Sequence, residues 1–392
     1  MHCGDQVLIT LTNRLSAQLR AGDVLFSLGG NEYLAIIESA DGIALSTVCE
    51  QLLAAADEPI PVRDIKHPMS LSIGAAFFPV DGDNAEDLLK NADIVMYAGK
   101  HAGRNGYQLF NTMMAEDVSN KSLLKGELIH ALEHNDFALY CQPRFDHADA
   151  LRGLEALLCW QHPVRGLIMP GDFIGFAQEC GLIIPLGKWV MRTACKQIIA
   201  WQDKFGEVPT ISVDASMREL ESDHFADDTL RIISDIGVAP HNISIEVTES
   251  MLTTDLATVT RHLDTLTAAG LTIELDDFGT GCSSLSQLYR LPIETIKIDR
   301  SFVNLIGSNK ESRSIIIAII ALAQALECEV IAEGVETLDR LDFLKACDCN
   351  NHQGYYFARP GLPSTVERFV ARQNALNVIA SESQKMATAV AR

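Results

Sequence analysis

Positive charge is what this sequence most lacks. Its 31 lysines and arginines face 52 aspartates and glutamates, giving a formal net charge of −21 and a pI near 4.8. So acidic a chain has no basic surface with which to clamp a phosphate backbone, which excludes DNA and RNA as partners. An anionic substrate would need divalent cations to bind. The ten cysteines contain no CxxC pair, and only Cys347 and Cys349 lie close together. That usage excludes a zinc site and a disulfide framework, and it suits free thiols in a reducing cytosol. Long apolar runs are missing too. The longest, "IIIAIIALAQAL" at 315–326, falls short of the roughly 20 residues of a bilayer span and fits a buried helix. The N-terminal "MHCGDQVLIT" has neither a basic n-region nor a small-residue cleavage site, so no signal peptide is expected. None of the 11 histidines forms HExxH, and "GTG" at 279–281 has no third glycine at the dinucleotide-binding spacing. The expectation is a cytoplasmic chain without a membrane segment.

What is present is a large apolar mass. With 392 residues, 47% hydrophobic and 21% charged, the chain can bury a sizeable core and predicts two domains, or one large barrel with an appendage. Up to about residue 110 the periodicity alternates. Helices are expected over 5–20, 42–56 and 85–103, and strands over 22–28, 33–37 and 71–78. The polar stretch "NTMMAEDVSNKSLLKGE" (111–127) reads as a helical linker, and the tail "RQNALNVIASESQKMATAVAR" as weakly helical.

Between about 122 and 370 a different rhythm takes over. Short apolar strands end repeatedly in acid: "GLEAL" with Glu155, "TISVDAS" with Asp214, and "ISIEVTES" with Glu246 and Glu249. The series continues with "LTIELDD", "TIKIDRS" with Lys297 and Asp299, and "EVIAEGVE" with Glu333 and Glu336. Taken alone, the paired Asp276 and Asp277 before Gly279 and Gly281 make an ordinary solvated turn. Repeated at strand after strand, with helix-like segments between, the pattern predicts an α/β fold of the (β/α)8 barrel type. Such barrels carry their active site at the C-terminal strand ends. Carboxylates gathered at one mouth cannot all stay ionised without cations. An all-oxygen set suits Mg2+ or Mn2+, and two such ions, about 3.5–4 Å apart, would activate water against a phosphoester. The chemistry expected from the residues is metal-assisted phosphoester hydrolysis.

Five segments in order, "EALL" (155–158), "DDFGTG" (276–281), "IKID" (296–299), "AEGVE" (332–336) and "QGYYFARP" (353–360), resemble the EAL family of cyclic di-GMP phosphodiesterases, which form linear pGpG. The resemblance implies a modified TIM barrel over 122–371, followed by a tail over 372–392. It implies metal ligands at Glu155, Asp214, Glu246, Asp276, Asp277 and Glu333. Lys297 would orient or activate the attacking water, and Glu249 would hold the loop after Asp277. Gln142, Leu157, Asp299, Glu336 and Gln353 would line the substrate site, and the domain would form a homodimer. Two positions depart from the family. Asp214 stands where it has Asn, and Cys159 where it has an Arg that contacts a substrate phosphate; cysteine cannot supply that bidentate fork. Residues 1–111, through "RAGDVLFSLGGNEY" (20–33), "LSIGAAFFPVDG" (71–82) and "ADIVMYAGKHAGRNGY" (92–107), resemble the end of a GGDEF cyclic di-GMP synthase domain, with 112–121 as linker. The first strand and helix of that domain and their metal-binding aspartate have no counterpart, and Asn31 replaces a catalytic acid in the signature. Arg20 and Asp23 match an RxxD product-inhibition pattern, although a helix-end arginine explains them as well. A binding module that senses cyclic di-GMP without turning it over is the competing expectation.

Overall fold

The computed structural model describes residues 3–38, 42–62, 65–101, 105–253, 256–280, 288–307 and 310–390. It divides into two compact units, residues 1–124 and 125–392.

The first unit contains α1 (Cys3–Ser16), a hairpin of β1 (Val24–Gly29) and β2 (Glu32–Ile36), α2 (Gly42–Asp57), the pair β3 (Ile60–Val62) and β4 (Ile65–His67), β5 (Ser72–Ala75), α3 (Ala85–His101) and β6 (Gly106–Leu109). Leu11 and Leu15 of α1 meet Val48, Leu52 and Ala56 of α2 over Ile60 and Val62. The strand expected over 71–78 stops at Ala75. Phe77 and Asp81 close a turn there: the Phe77 amide donates to the Asp81 carboxylate, and the Asp81 amide to the Phe77 carbonyl, both at 2.7 Å. The residues expected to form the connection make a longer helix, α4 (Thr112–His134). Leu128 and Ala131 are buried three residues apart on one face, which carries the helix onward. Asn135, at φ +60°, ends it in the left-handed conformation common after a helix C-terminus.

The second unit is the barrel. Its strands are β7 (Phe137–Asp146), β8 (Leu151–His162), β9 (Gly166–Ile168), β10 (Thr210–Asp214), β11 (Ile243–Thr248), β12 (Thr272–Phe278), β13 (Thr295–Ile298), β14 (Glu329–Ala332) and β15 (Asn351–Gln353). They run β10-β11-β12-β13-β14-β15-β7-β8, and β10–β8 pairing closes the ring with β9 outside it. The departure from a plain (β/α)8 ring is β7, which lies antiparallel to both β8 and β15. Strands β8 and β10 to β15 are mutually parallel, so their C-terminal ends share one rim. Helices α5 (Ile174–Glu179), α6 (Ile183–Phe205), α7 (Met217–Leu220), α8 (Phe225–Ile236), α9 (Leu256–Ala268), α10 (Arg300–Asn304), α11 (Lys310–Ala325) and α12 (Leu338–Ala346) separate the strands. The last helix, α13 (Pro363–Val390), buries Val366 and Val370. Its Phe369 packs edge-on against Phe145, and its Gln373 accepts from the Leu151 amide at 3.0 Å.

The apolar run at 315–326 corrects the expectation of a buried helix. On α11, Ile316, Ile319, Ile320 and Ala323 face the core, while Ile315 and Ile317 are 39% and 50% exposed. The run covers every helical position, but one stripe of about 100° suffices to pack against the barrel. Cys49, Cys141, Cys159, Cys180, Cys195, Cys328, Cys347 and Cys349 are free thiols. Among the described residues, no helix is long and apolar enough to cross a membrane.

One glycine locks the rim. A side chain on Gly354 would run into the backbone of Val335, whose amide donates to the Gln353 carbonyl at 3.0 Å. Backbone cannot swing aside as a side chain can, so Gly354→Ala is expected to cost about 3 kcal/mol. Denaturant unfolding of parent and variant measures it; a loss under about 0.5 kcal/mol would show that this corner is loose.

Candidate active site

The barrel rim is organised around one ammonium group. Lys297, on β13, is fully buried, and a charge there requires partners. Its Nζ donates to Glu246 on β11 and lies 2.7 Å from Glu333, 3.2 Å from Asp276 and 3.7 Å from Glu155. Four carboxylates from four strands thus converge on one lysine; the expectation that β8 ends at Glu155 is corrected, since that strand runs on to His162. Burial pulls the lysine toward neutrality, but the acids, Glu155 foremost, hold its ammonium well above the ordinary range.

One cation cannot neutralise so many acids. Burial, with Asp276 and Glu155, pushes Glu333 up to about 8. Asp214 reaches solvent, yet protein crowds it at the rim; desolvation and then Glu155 raise it to about 7. Glu246 is raised well above its usual value, chiefly by burial. Asp277 is raised to about 6 by partial burial, Asp276 and Asp299.

The geometry fits a hard cation. Glu155, Asp214 and Glu246 each offer an oxygen, all within 4.8 Å of one another. Glu246 Oε1 is buried without a hydrogen-bond partner, a lone pair that a cation would satisfy. The donor set is oxygen only, as Mg2+ or Mn2+ prefers. Asp276 and Glu333 lie on the lysine side of this trio.

Successive strand residues face opposite sides, so the neighbours Asp276 and Asp277 need an irregularity to share a site. The β12–β13 register shifts between Leu275 and Phe278, and Asp277 takes φ +54°. That bend brings Asp277 into the field of Asp276, Asp299 and Lys297. Glu249 pins the loop beyond: its carboxylate accepts from the Gly279 amide at 2.9 Å. Residues 281–287, including Gly281, lie outside the described residues.

The other expected residues divide. Gln353 donates to Glu155 and, at 3.2 Å, to Gln142, whose amide donates to the Ala358 carbonyl at 3.3 Å. Both glutamines are buried, and Gln353 holds the Glu155 carboxylate while Gln142 holds Gln353. Asp299 is buried and caps α10, accepting from the Ser301 amide at 3.0 Å. Glu336 is half exposed and paired with Arg340 at 3.6 Å. Leu157 and Cys159 follow Glu155 at two-residue intervals on β8, Leu157 partly buried and Cys159 1% exposed. Arg144, Ser212 and Glu274 were not anticipated, although they belong to the site's floor. The available signal was alternation, since Ser212 and Glu274 each precede a rim acid by two residues on its strand.

A closed ring of barrel strands with an acidic cluster around one buried lysine defines the class as a modified TIM barrel. More particularly, the chain belongs to the EAL domain family, which matches residues 125–360. Residues 1–106 match the family described as diguanylate cyclase, GGDEF domain. The bifunctional diguanylate cyclase/cyclic di-GMP phosphodiesterase MucR of Pseudomonas aeruginosa is 36% identical over 360 residues, 92% of this chain and 53% of MucR. Cyclic di-GMP phosphodiesterase PdeR of Escherichia coli is 35% identical over 369 residues, 94% of this chain and 56% of PdeR. The chain thus spans about half the length of these curated relatives. Among solved structures, the PaMucR phosphodiesterase in complex with c-di-GMP superposes with a TM-score of 0.61 at 36% identity, covering 62% of this chain and 99% of that one.

The raised carboxyls set a pH dependence. A group whose folded pKa is raised binds its proton more tightly folded than unfolded, so its contribution fades as pH rises through the folded value. With Asp277, Asp214 and Glu333 at about 6, 7 and 8, the cation-free barrel is expected to lose stability from about pH 4 to pH 8. Divalent cation, replacing those protons, is expected to reverse the loss. Melting curves across that window, with chelator and with Mg2+, check it; a chelated transition that does not fall with pH overturns the electrostatic picture.

Proposed function

We propose that this chain is a metal-dependent phosphodiesterase that hydrolyses cyclic di-GMP to linear pGpG in the cytoplasm. The observation that carries the reading is the cation-ready trio Glu155, Asp214 and Glu246 beside Lys297. The names of the relatives support the substrate, and solved c-di-GMP complexes of similar barrels support the ligand site.

Glu155, Asp214 and Glu246, with Asp276, Asp277 and Glu333, would hold Mg2+ or Mn2+. When bound, the cation supplies Lewis-acid polarisation of the phosphoryl group and an acidified water. Lys297, held by four carboxylates, presents a fixed positive charge to the same water and phosphate. Gln353, itself anchored on Gln142, holds the Glu155 carboxylate, and Glu249 keeps the loop after Asp277 in place. The expected leaving group is the ribose 3′ oxygen of one phosphodiester, opening the ring to pGpG.

The N-terminal unit acts as a non-cyclase remnant in this reading, since Asn31 lacks the acid its position calls for. The barrel pairs with a second copy, and the exposed Ile315 and Ile317 on α11 offer apolar area for such pairing. Chromatography of cyclic di-GMP incubations with Mg2+ or Mn2+ tests the activity. pGpG should appear, fall at least about 100-fold in Glu155→Ala and Asp276→Ala, and vanish with chelator. GTP under the same conditions should yield no cyclic di-GMP. Variants that hydrolyse at the parent rate would show that the acids do other work.

A second reading, a receptor without turnover, draws on Cys159. Its thiol is 1% exposed, and burial lifts it to about 11, so it stays neutral where the family places a cation. A charge-assisted contact to phosphate contributes about 1.5–3 kcal/mol, so Cys159→Arg is expected to tighten cyclic di-GMP binding by roughly 10- to 100-fold in calorimetry. Tighter binding with no pGpG from variant or parent selects the receptor; unchanged affinity shows that another residue holds that phosphate.

A further inference from the structure

A further buried charge pair adjoins the acidic rim. Asp214, Glu246 and Glu274 occupy one register row on β10, β11 and β12. Glu246 therefore sits between two carboxylates on adjacent strands. Glu274 is answered by Arg144 of β7, which is 4% exposed. Arg144 Nη1 donates to Glu274 Oε2, and Nη2 donates to Ser212 Oγ at 2.5 Å. Ser212 Oγ in turn donates to Glu274 Oε1 at 2.9 Å. Arg144, Ser212 and Glu274 thus close a three-sided ring of hydrogen bonds across the barrel floor. The barrel makes room for it at Gly153, opposite Arg144 on β8, where a Cβ would lie 2.6 Å from Nη2 and 2.9 Å from Nε.

The same guanidinium has a second acid within reach. Nη1 lies 3.8 Å from Glu246 Oε1, a buried oxygen with no hydrogen-bond partner. A shift of about 1 Å would turn that separation into an ordinary hydrogen bond. Glu246 would then be tied to Lys297 through one oxygen and to Arg144 through the other, and the added cationic contact would compete with a metal ion for its remaining lone pairs. Glu274 opposes that shift by engaging the guanidinium directly and through Ser212.

We propose that Glu274 is a positioning residue for cation binding: it holds Arg144 off Glu246, so that Glu246 Oε1 stays available at the rim. Arg144, fixed there, screens Glu246 from Glu274 without occupying it. The proposal rests on the reading of the rim as a cation site and adds a residue pair that controls its affinity from below.

The test is direct Mn2+ binding to the full chain, measured as free Mn2+ by electron paramagnetic resonance, with thermal melts to confirm folding. Glu274→Gln is expected to weaken Mn2+ binding at least about tenfold, because the unneutralised guanidinium moves against Glu246. Arg144→Met is expected to tighten it several-fold, which tests the idea even if Glu274→Gln does not fold. The double variant Arg144→Met/Glu274→Gln, with both charges gone, is expected to return close to the parent. A purely structural pair predicts instead that each change lowers stability and that affinities do not reverse. If Glu274→Gln binds Mn2+ like the parent, if Arg144→Met binds no tighter, or if the double variant stays as weak as Glu274→Gln, the proposal is overturned. A parent that binds no Mn2+ overturns the cation reading itself, and this inference with it.

Discussion

A single buried ammonium governs the rim of this barrel. Lys297 has no solvent contact, so its charge survives only because Glu246, Glu333, Asp276 and Glu155 surround it. Those acids depend on the lysine in turn, since without it each would face carboxylates across a poorly solvated gap. The arrangement has more acids than cations. The excess shows in Glu333 and Asp214, whose carboxyls are held near neutral pH by burial and mutual repulsion. Local stability has been traded for an unsatisfied appetite for positive charge, a common property of sites that bind cations.

That appetite becomes a site through the orientation of individual oxygens. Glu246 directs Oε2 to the lysine and leaves Oε1 buried and unpartnered. Glu155 is steered from behind by Gln353, which is linked to Gln142 across the barrel seam. The bulge and left-handed turn at Asp277 release two adjacent carboxylates from the strict alternation of a strand. Each device is a hydrogen bond or a backbone bend, and each acts before any ligand arrives. Such preorganisation lets charge act at full strength in a partly dry site.

The floor of the barrel shows how nearby charges of opposite roles are kept apart. Glu274 would burden Glu246 electrostatically if left alone, and burial alone would raise its carboxyl, yet Arg144, with Lys297 and Ser244, holds it down to about 2. The pair is neutral as a unit and sits in a space opened by Gly153. A buried ion pair is weak evidence for net stability. Its position, in the register row of Asp214 and Glu246, gives it a second consequence, the disposition of the groups at the rim.

The sequence by itself determined which residues stand at strand ends. Two-residue alternation and the glycines after Asp277 place Asp214, Glu246 and Asp276 toward strand ends, and repeated strand–helix units determine the barrel, whereas Glu155 lies within the longer β8. The shortage of positive charge already required a cation for any anionic ligand. Only the tertiary structure decided which of these groups meet. Alternation assigns a face but no height or partner, and barrel closure sets both by joining residues more than a hundred positions apart, as with Arg144 and Glu274. For the same reason Glu336, in the loop after β14, pairs with Arg340 of the next helix, and Gln353 bonds Glu155. The antiparallel β7 was likewise invisible locally, because a strand's direction is settled by its neighbours, and that direction is what carries Arg144 down to the floor.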